Sequence, residues 1–433
     1  MELLTRQNTI KKKQRLLWLL LAGTMSLFVL DSFWGFIYVH TIYAKPIYEY
    51  ASVMLFFFLY IYIASQSKWG AWSSLSKVWA PYIVLTFLCY LFMPSIRAPY
   101  WLICLIILLV SNKDTFYKTL PCKILFISSI VAIIGIAIQM YLPDFYFSNI
   151  SVLFLDEDKL ENWSEGYGFN GFTYQLGLTA SILIYGEVAL LYMKEKVLYK
   201  RLQNPVLYYV LLLLIIVSVF LTGKRLLAAL ALILPFLVYY LTTKTGGEKL
   251  LMLVSAIIVS YLAFDFFISN ARFYADSVIL RRFVNSYYEA QAGNDITSER
   301  TYLYGLAWEA FNSSPVIGIG VGQFRAVTGA TTAVHNTYLQ VLCEQGVIGF
   351  SIFIFPIIYS FIYTVRLISK VKDDTLLNYL KVSMAFQLIY IIYSFTGNEN
   401  TGSGYIMYFI GIAIVISVDK KIRNFNLLKN KMV

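Results

Sequence analysis

The sequence predicts an all-α polytopic membrane protein, and three observations lead to that fold class. Charged residues make up 14% of the 433 residues, whereas soluble domains carry about 25%. Apolar runs of about 15–25 residues recur along the chain, a length that suits helices crossing a hydrocarbon core of about 30 Å. Lysine and arginine concentrate in alternate connecting segments. The apolar runs are continuous rather than alternating, which excludes an all-β membrane architecture.

The apolar runs are interpreted as about 12 transmembrane helices, of which the fourth is short and the eighth lies close to the seventh. They lie at roughly 16–30, 49–64, 79–93, 99–111, 124–142, 173–193, 205–222, 226–241, 250–268, 347–366, 376–396 and 404–418.

The positive charges predict the orientation of these spans. With the N-terminus placed in the cytoplasm, 25 of the 35 Lys and Arg residues fall in cytoplasmic segments. Because short cytoplasmic loops are enriched in positive charge, both termini are expected to be cytoplasmic and the number of spans even.

The two sides also differ in the kind of cation. The cytoplasmic segments hold 20 Lys and 5 Arg, whereas the outer segments hold 3 Lys and 7 Arg. Arginine is preferred where a planar, permanently charged group must hold a phosphate or carboxylate at two points. The outer arginines therefore suggest an anionic ligand, although pairing with local acidic residues is the alternative interpretation.

Three regions follow from this topology. Residues 1–268 contain the first nine spans and an acidic outer loop at 143–172. Residues 269–346 form an extracytoplasmic polar loop, predicted to contain helices at 272–290 and 297–313 and then a glycine-rich, turn-rich segment. Residues 347–433 contain the last three spans and a basic cytoplasmic tail.

His335 is the candidate catalytic residue. It is one of two histidines in the chain, and it lies at the end of the polar loop, before a short helix predicted at 336–344. Imidazole titrates near neutral pH, so it can accept a proton from a hydroxyl group of a substrate. A histidine that only caps or hydrogen-bonds is the alternative interpretation. Glu344 and Gly346 are predicted to support the junction between this short helix and the next span.

Two arginines are the main anion-binding candidates. Arg225 lies in a tight outer turn between two spans, where a cation close to hydrocarbon is costly unless it is hydrated or paired; snorkelling to the interface is the alternative. Arg300 shares a predicted helix face with Tyr304 and Trp308, which suits a phosphate beside sugar rings.

Arg281 and Arg282 are weaker candidates. As neighbours on a helix they diverge by about 100°, so at most one of them faces a site.

Other classes of function fit less well. The net charge of +11 is spread over short loops between spans, which argues against a nucleic-acid partner. The glycines at 318, 320 and 322 do not follow a strand, so a nucleotide-binding loop is excluded. Two distant histidines and four unpaired cysteines predict neither a metal site nor disulfides.

The segment His335–Gly349 reads HNTYLQVLCEQGVIG. It resembles the HN...L...E.G..G signature of the O-antigen polymerase and O-antigen ligase family of bacterial membrane glycosyltransferases. The glycine-rich segment near Phe169, the turn before Arg225, the Arg300–Trp308 helix and the Pro315–Gly320 segment extend the resemblance. Lys224 departs from it, since a serine is common before the arginine.

The resemblance implies a GT-C-like helical membrane enzyme that needs no cofactor or metal. Arg225 and Arg300 would bind the pyrophosphate of an undecaprenyl-pyrophosphate-linked glycan, and His335 would activate an acceptor hydroxyl, with inversion at the anomeric carbon. The expected activity is polymerisation of repeat units into surface polysaccharide on the outer face of the bacterial cytoplasmic membrane. A flippase and a chain-length regulator are the expected partners.

Three alternatives stay open at this stage. A ligase that passes the finished glycan to lipid A core would use the same residues. A peptidoglycan-type polymerase would be expected to use an outer-loop aspartate instead of His335. A twelve-span transporter or flippase is favoured less, because such proteins often show two similar halves and this chain does not.

Overall fold

The computed structural model describes much of the chain. The described residues are 73–92, 120–151, 168–173, 175–198, 204–243, 245–269, 284, 287–289, 291–292, 300–397 and 403–431. Every regular element among them is helical.

Eleven of the described helices are labelled here in chain order. They are α1 (Ser74–Phe92), α2 (Leu120–Tyr141), α3 (Leu176–Val197), α4 (Pro205–Leu221), α5 (Arg225–Thr242), α6 (Gly246–Ser269), α7 (Arg300–Ser313), α8 (Phe324–Thr328), α9 (Thr337–Lys370), α10 (Asp374–Tyr393) and α11 (Ser403–Lys431). After α2, a helical turn at Pro143–Phe145 continues into a π-turn at Tyr146–Ile150.

The all-helical class is confirmed for the described part of the chain. Nine of the predicted spans coincide with α1 to α6 and α9 to α11. The predicted spans at 16–30, 49–64 and 99–111 lie outside the described residues. Five described helices (α2, α3, α5, α9 and α10) are long and apolar enough to cross a membrane, and α4 is apolar but shorter. The total of about 12 spans therefore stays a prediction.

The core is centred on α3 and α10. Residues 179–190 of α3 are all buried, since this helix packs against α2, α4, α5 and α10. Helix α10 also packs against α11. A helix that is apolar on all sides is expected at the centre of a bundle, and these two helices take that place.

An aromatic cluster joins α1, α9 and α11. The Trp79 ring lies 4.7 Å from the Phe409 ring and 5.6 Å from the Tyr408 ring, both edge-on. Trp79 Nε1 donates a hydrogen bond to Ser360 Oγ on α9 at 3.1 Å. The indole therefore fills space in the core while its polar group is satisfied.

The 300–336 segment has a small core of its own. Buried side chains from α7, α8, the loop before α9 and the first turns of α9 form it: Leu303, Ala307, Ala310, Phe324, Val334 and Cys343. The helix predicted at 297–313 is confirmed as α7, which ends two residues before Pro315. The helix predicted at 272–290 lies almost wholly outside the described residues.

Helix α11 contains the last predicted span, 404–418, and extends beyond it without a break to Lys431. The cytoplasmic placement of the basic residues that follow the span stays a prediction. Neither glycine nor proline occurs after Gly411 to stop it. Arg423 also pairs with Asp419 one turn earlier at 2.9 Å.

Candidate functional site

A glycine-rich segment, residues 168–173, supports the turn between α4 and α5. The Phe169 N–H donates to the carbonyl of Leu221 at 2.8 Å. Gly168 has φ 130°, and a Cβ there would lie 2.5 Å from the Thr222 carbonyl oxygen. Only glycine allows the two backbones to approach so closely.

Buried hydrogen bonds fix this glycine-rich segment in turn. The N–H groups of Asn170 and Gly171 both donate to Gln139 Oε1 on α2 at 3.0 Å. The Tyr146 hydroxyl donates to Asn170 Oδ1 at 3.0 Å, and Thr179 Oγ1 on α3 donates to the Asn170 carbonyl at 2.8 Å. Helices α2 and α3 therefore determine where the α4–α5 turn lies.

The α4–α5 turn places two cations at the start of a helix. Lys224 is the N-cap of α5 and Arg225 is its first residue. The helix dipole puts partial positive charge at this end, so acidic side chains are the ones favoured here. Two basic side chains at this point are unfavourable for the helix alone, and the arrangement suits a bound anion.

Arg300, the first described residue of α7, belongs to the same group of charges. Arg225 interacts electrostatically with Arg300 and with Glu289. The two arginines are 75 positions apart in the sequence, and the fold brings them within range of each other. Two neighbouring guanidinium groups repel, and an anion between them relieves that repulsion.

His335 has a left-handed backbone, with φ 57°, and it is the one non-glycine residue of the described chain with positive φ. Its neighbours on both sides are buried: Val334 and Thr337 are fully enclosed, and Asn336 is nearly so. A non-glycine residue keeps this conformation only where the surrounding structure imposes it, and such residues cluster at functional sites.

Hydrogen bonds to the end of α10 hold the residues that follow His335. The Thr337 N–H donates to the Ser394 carbonyl and Thr337 Oγ1 to the Gly397 carbonyl, both at 2.8 Å. Asn336 Oδ1 caps α9 by accepting from the Leu339 N–H at 3.1 Å. The predicted helix start beside His335 is thus confirmed, with Asn336 as the N-cap.

The surroundings of His335 lower its pKa below the ordinary value of 6.5. Partial burial is the main cause, and the positive charges of Arg300 and Lys224 add to it. The imidazole is therefore neutral at neutral pH and has a nitrogen available to accept a proton. Because Lys224 and Arg300 both act on His335 and Arg300 acts on Arg225, the four basic groups form one cluster. This cluster of Lys224, Arg225, Arg300 and His335 is called the basic cluster below.

Helix α9 is broken at Gly346, between its first turns and its membrane span. The φ and ψ angles of Gly346 are 63° and −171°. The broken turn exchanges hydrogen bonds with the loop. Val347 N–H donates to the Pro315 carbonyl, while Ile319 N–H donates to the Cys343 carbonyl. A Cβ on Gly346 would lie 2.3 Å from the Val316 carbonyl oxygen. The break therefore gives the loop a fixed attachment to α9.

Glu344 lies beside this break and is nearly fully buried. Its carboxylate accepts hydrogen bonds from the backbone N–H groups of Gly322 and Phe324, and from Gln340 Nε2 at 3.3 Å. These hydrogen bonds join Glu344 to the loop, and its role as a supporting residue stays a prediction.

The remaining candidates lie in different surroundings. Tyr304 is partly buried, and its hydroxyl donates to the Phe395 carbonyl at 3.3 Å. Trp308 is exposed and packs against Phe311, with ring centroids 5.3 Å apart. Arg281 and Arg282 lie outside the described residues. The binding roles of all four stay predictions.

The structure adds residues that sequence reasoning gave little weight. A Cβ on Gly177 would lie 3.1 Å from Tyr393 Oη and 3.6 Å from Lys224 Cε, so both side chains pass close to one point on α3. Phe395 is exposed and packs on Tyr338, with ring centroids 4.8 Å apart. The position of Lys224 beside Arg225 was a usable signal, but no sequence pattern marked Tyr393 or Phe395.

Within the described ranges, no three His, Cys, Asp or Glu side chains come together as a metal site would require. A reaction without a metal therefore stays a prediction.

Comparison with known families identifies the region that holds the basic cluster. Residues 210–354 match a family model described as O-antigen ligase. This match supports the resemblance to the O-antigen polymerase and ligase family over that part of the chain. The matched region includes the α4–α5 turn, α7, His335 and the break at Gly346, while the glycine-rich segment at 168–173 precedes it. A comparison with curated proteins gave no match.

Proposed function

We propose that this protein is a bacterial membrane glycosyltransferase that polymerises undecaprenyl-pyrophosphate-linked repeat units into surface polysaccharide on the outer face of the cytoplasmic membrane. The observation that carries the proposal is the basic cluster within the region that matches the O-antigen ligase family model. Two arginines, a lysine and one partly buried histidine, from three separate parts of the chain, interact electrostatically with one another. That set suits a diphosphate next to a group that accepts a proton.

The cations have a defined role in the reaction. The pyrophosphate that links the glycan to its lipid is held by Arg225 and Arg300, with Lys224 beside them. When the bond from the anomeric carbon to the phosphate oxygen breaks, negative charge builds up on the departing undecaprenyl pyrophosphate. Fixed cations near that oxygen stabilise this charge in the transition state more than in the ground state.

His335 acts on the other reactant. An acceptor sugar hydroxyl donates its proton to the neutral imidazole while its oxygen forms the new bond to the anomeric carbon. Attack opposite the departing pyrophosphate inverts the anomeric centre. The imidazolium that forms then releases its proton to water.

Ligation is the second candidate, because the matching family model is described as O-antigen ligase. The bond that breaks and the residues that act are the same in both reactions. The difference lies in the acceptor, which is the end of another lipid-linked glycan in polymerisation and lipid A core or a similar anchor in ligation.

A complementation experiment tests the proposal. A strain that lacks this gene is supplied with the wild type or with His335→Ala at matched membrane abundance, and surface glycan is resolved by gel electrophoresis. We expect the wild type to restore a ladder of lengths and His335→Ala to leave a single attached repeat unit.

Other outcomes would redirect the assignment. Loss of all attached glycan, with long lipid-linked glycan accumulating, would assign the protein as a ligase. A normal ladder with His335→Ala would show that His335 does not carry the chemistry and would return attention to transport.

A further inference from the structure

The turn at Pro315–Ile317, between α7 and the glycine-rich part of the loop, exposes aliphatic side chains. Val316 is 58% exposed and Ile317 is 71% exposed. In the same loop, Leu303 and Val334 are buried in the small core around Phe324, whereas Val327 on α8 is exposed to the same degree as Val316. Two adjacent exposed aliphatic residues at the tip of a turn offer a contact to an apolar partner surface.

Backbone hydrogen bonds fix this turn against the start of the α9 span. Val347 N–H donates to the Pro315 carbonyl at 2.9 Å, and Ile348 N–H donates to the Val316 carbonyl at 3.3 Å. Because Gly346 has no side chain, the two backbones touch at this level. The turn therefore lies at the same height along α9 as Val347 and Ile348.

The sequence of α9 indicates where that height falls in a membrane. No charged residue occurs between Glu344 and Arg366. At 1.5 Å per residue this stretch is about 30 Å long, which is the thickness of the hydrocarbon core. Val347 and Ile348 therefore lie at its edge, on the side of the loop.

The exposed face of α9 leads directly into the turn. Ile348, Phe355 and Ile362 are exposed and recur every seven residues, so they form one stripe along the helix. Val316 lies beside the loop end of this exposed stripe, since its carbonyl accepts a hydrogen bond from the Ile348 N–H. Aliphatic side chains offer neither an aromatic face nor hydrogen-bonding groups, so a sugar-binding role does not suit them.

We propose that Val316 and Ile317 insert into the hydrocarbon edge of the bilayer leaflet on the loop side. The inserted turn anchors the end of α7 opposite Arg300 and sets the height of the basic cluster above the membrane. This anchor is a property of the fold, and its test needs no substrate.

Depth-dependent fluorescence quenching tests the anchor. The four native cysteines are replaced, single cysteines are introduced by Ile317→Cys, Phe355→Cys and Val327→Cys, and each is labelled with an environment-sensitive fluorophore in liposomes that contain brominated lipids. Phe355 (60% exposed) is the membrane reference, and Val327 (57% exposed), on α8 of the same loop, is the matched control. We expect quenching at 317 close to that at 355 and at least several-fold stronger than at 327.

A second measurement avoids replacing the cysteines. A benzophenone amino acid at position 317 of the otherwise native chain should form adducts with lipid acyl chains on illumination in native membranes, whereas the same group at position 327 should not. Quenching at 317 far below that at 355, or crosslinking of position 317 to a protein in place of lipid, would overturn the proposal.

Discussion

His335 combines a left-handed backbone with a lowered pKa, and each property has a separate cause. Buried neighbours and the capped start of α9 impose the conformation. Burial and the charges of Arg300 and Lys224 lower the pKa. Together they present a neutral imidazole in one orientation, which is what an acceptor of protons at neutral pH requires.

The pH dependence of activity follows from this. The value of kcat/KM should stay constant as pH falls to the ordinary imidazole value of 6.5 and decline only below it, because His335 must be neutral to act and its pKa is lowered. Lys224→Ser removes one repelling charge, so the decline should begin at a higher pH. Initial rates of the purified protein in liposomes, taken over assay pH values from about 5 to 8, give kcat/KM as a function of pH.

Lys224→Arg is the matched control. Because it keeps the positive charge, the decline of kcat/KM at low pH should begin at the same pH as in the wild type. If the decline also begins at that pH in Lys224→Ser, Lys224 does not act on His335. Inactive wild-type protein would instead count against the proposed reaction.

Arg225 and Arg300 are predicted to act as one unit on a shared pyrophosphate. Removing a single fixed donor or cation at developing charge costs about 10²–10³-fold in kcat. We expect Arg225→Gln and Arg300→Gln each to show a loss of this order, and the double variant to lose less than the product of the two. A double-mutant cycle on kcat measures the coupling, and independent, multiplicative losses would contradict a shared ligand.

The broken turn of α9 is the element that joins the loop to the membrane bundle. Gly346→Ala would place a Cβ 2.3 Å from the Val316 carbonyl oxygen at a positive φ. We expect it to lower the free energy of unfolding by about 1–3 kcal/mol, the usual scale of such local strain, and to lower the thermal midpoint accordingly.

Gly305→Ala on α7 is the control for that measurement. No atom lies within 4 Å of a Cβ placed there, so alanine should leave stability unchanged or raise it by up to about 1 kcal/mol through helix propensity. Equal thermal midpoints for the two variants would show that the contact at Gly346 is not needed for stability.

Local patterns in the sequence predicted much of this region. Pro315 marked the end of α7, and the glycines at 318, 320 and 322, all with positive φ, marked the irregular segment. The partners of these elements could not be predicted, because they are distant in sequence: Gln139 holds Gly171, and Ser394 holds Thr337. Periodicity describes one helix at a time, whereas the basic cluster depends on how several helices pack.

The distribution of lysine and arginine predicts the topology of the whole molecule. The 300–336 segment should lie outside the cytoplasm, and the α5–α6 connection and the residues after Lys370 should lie inside it. Alkaline phosphatase, which is active only outside the cytoplasm, should be active when inserted after residue 331 and inactive after residues 243 and 372. The opposite pattern would place the basic cluster on the cytoplasmic face and exclude the proposed polysaccharide synthesis.

The hydrogen bonds exchanged at the Gly346 break also define which segment can be transferred as a unit between related proteins. The loop ends at His335 by sequence, but the backbone groups of Ile319 and Val347 are satisfied only when both sides of the break are present. A chimera that replaced residues 300–336 alone would leave these groups to find new partners. The natural unit of exchange is residues 300–348, in which the loop brings with it the part of the helix that it is attached to.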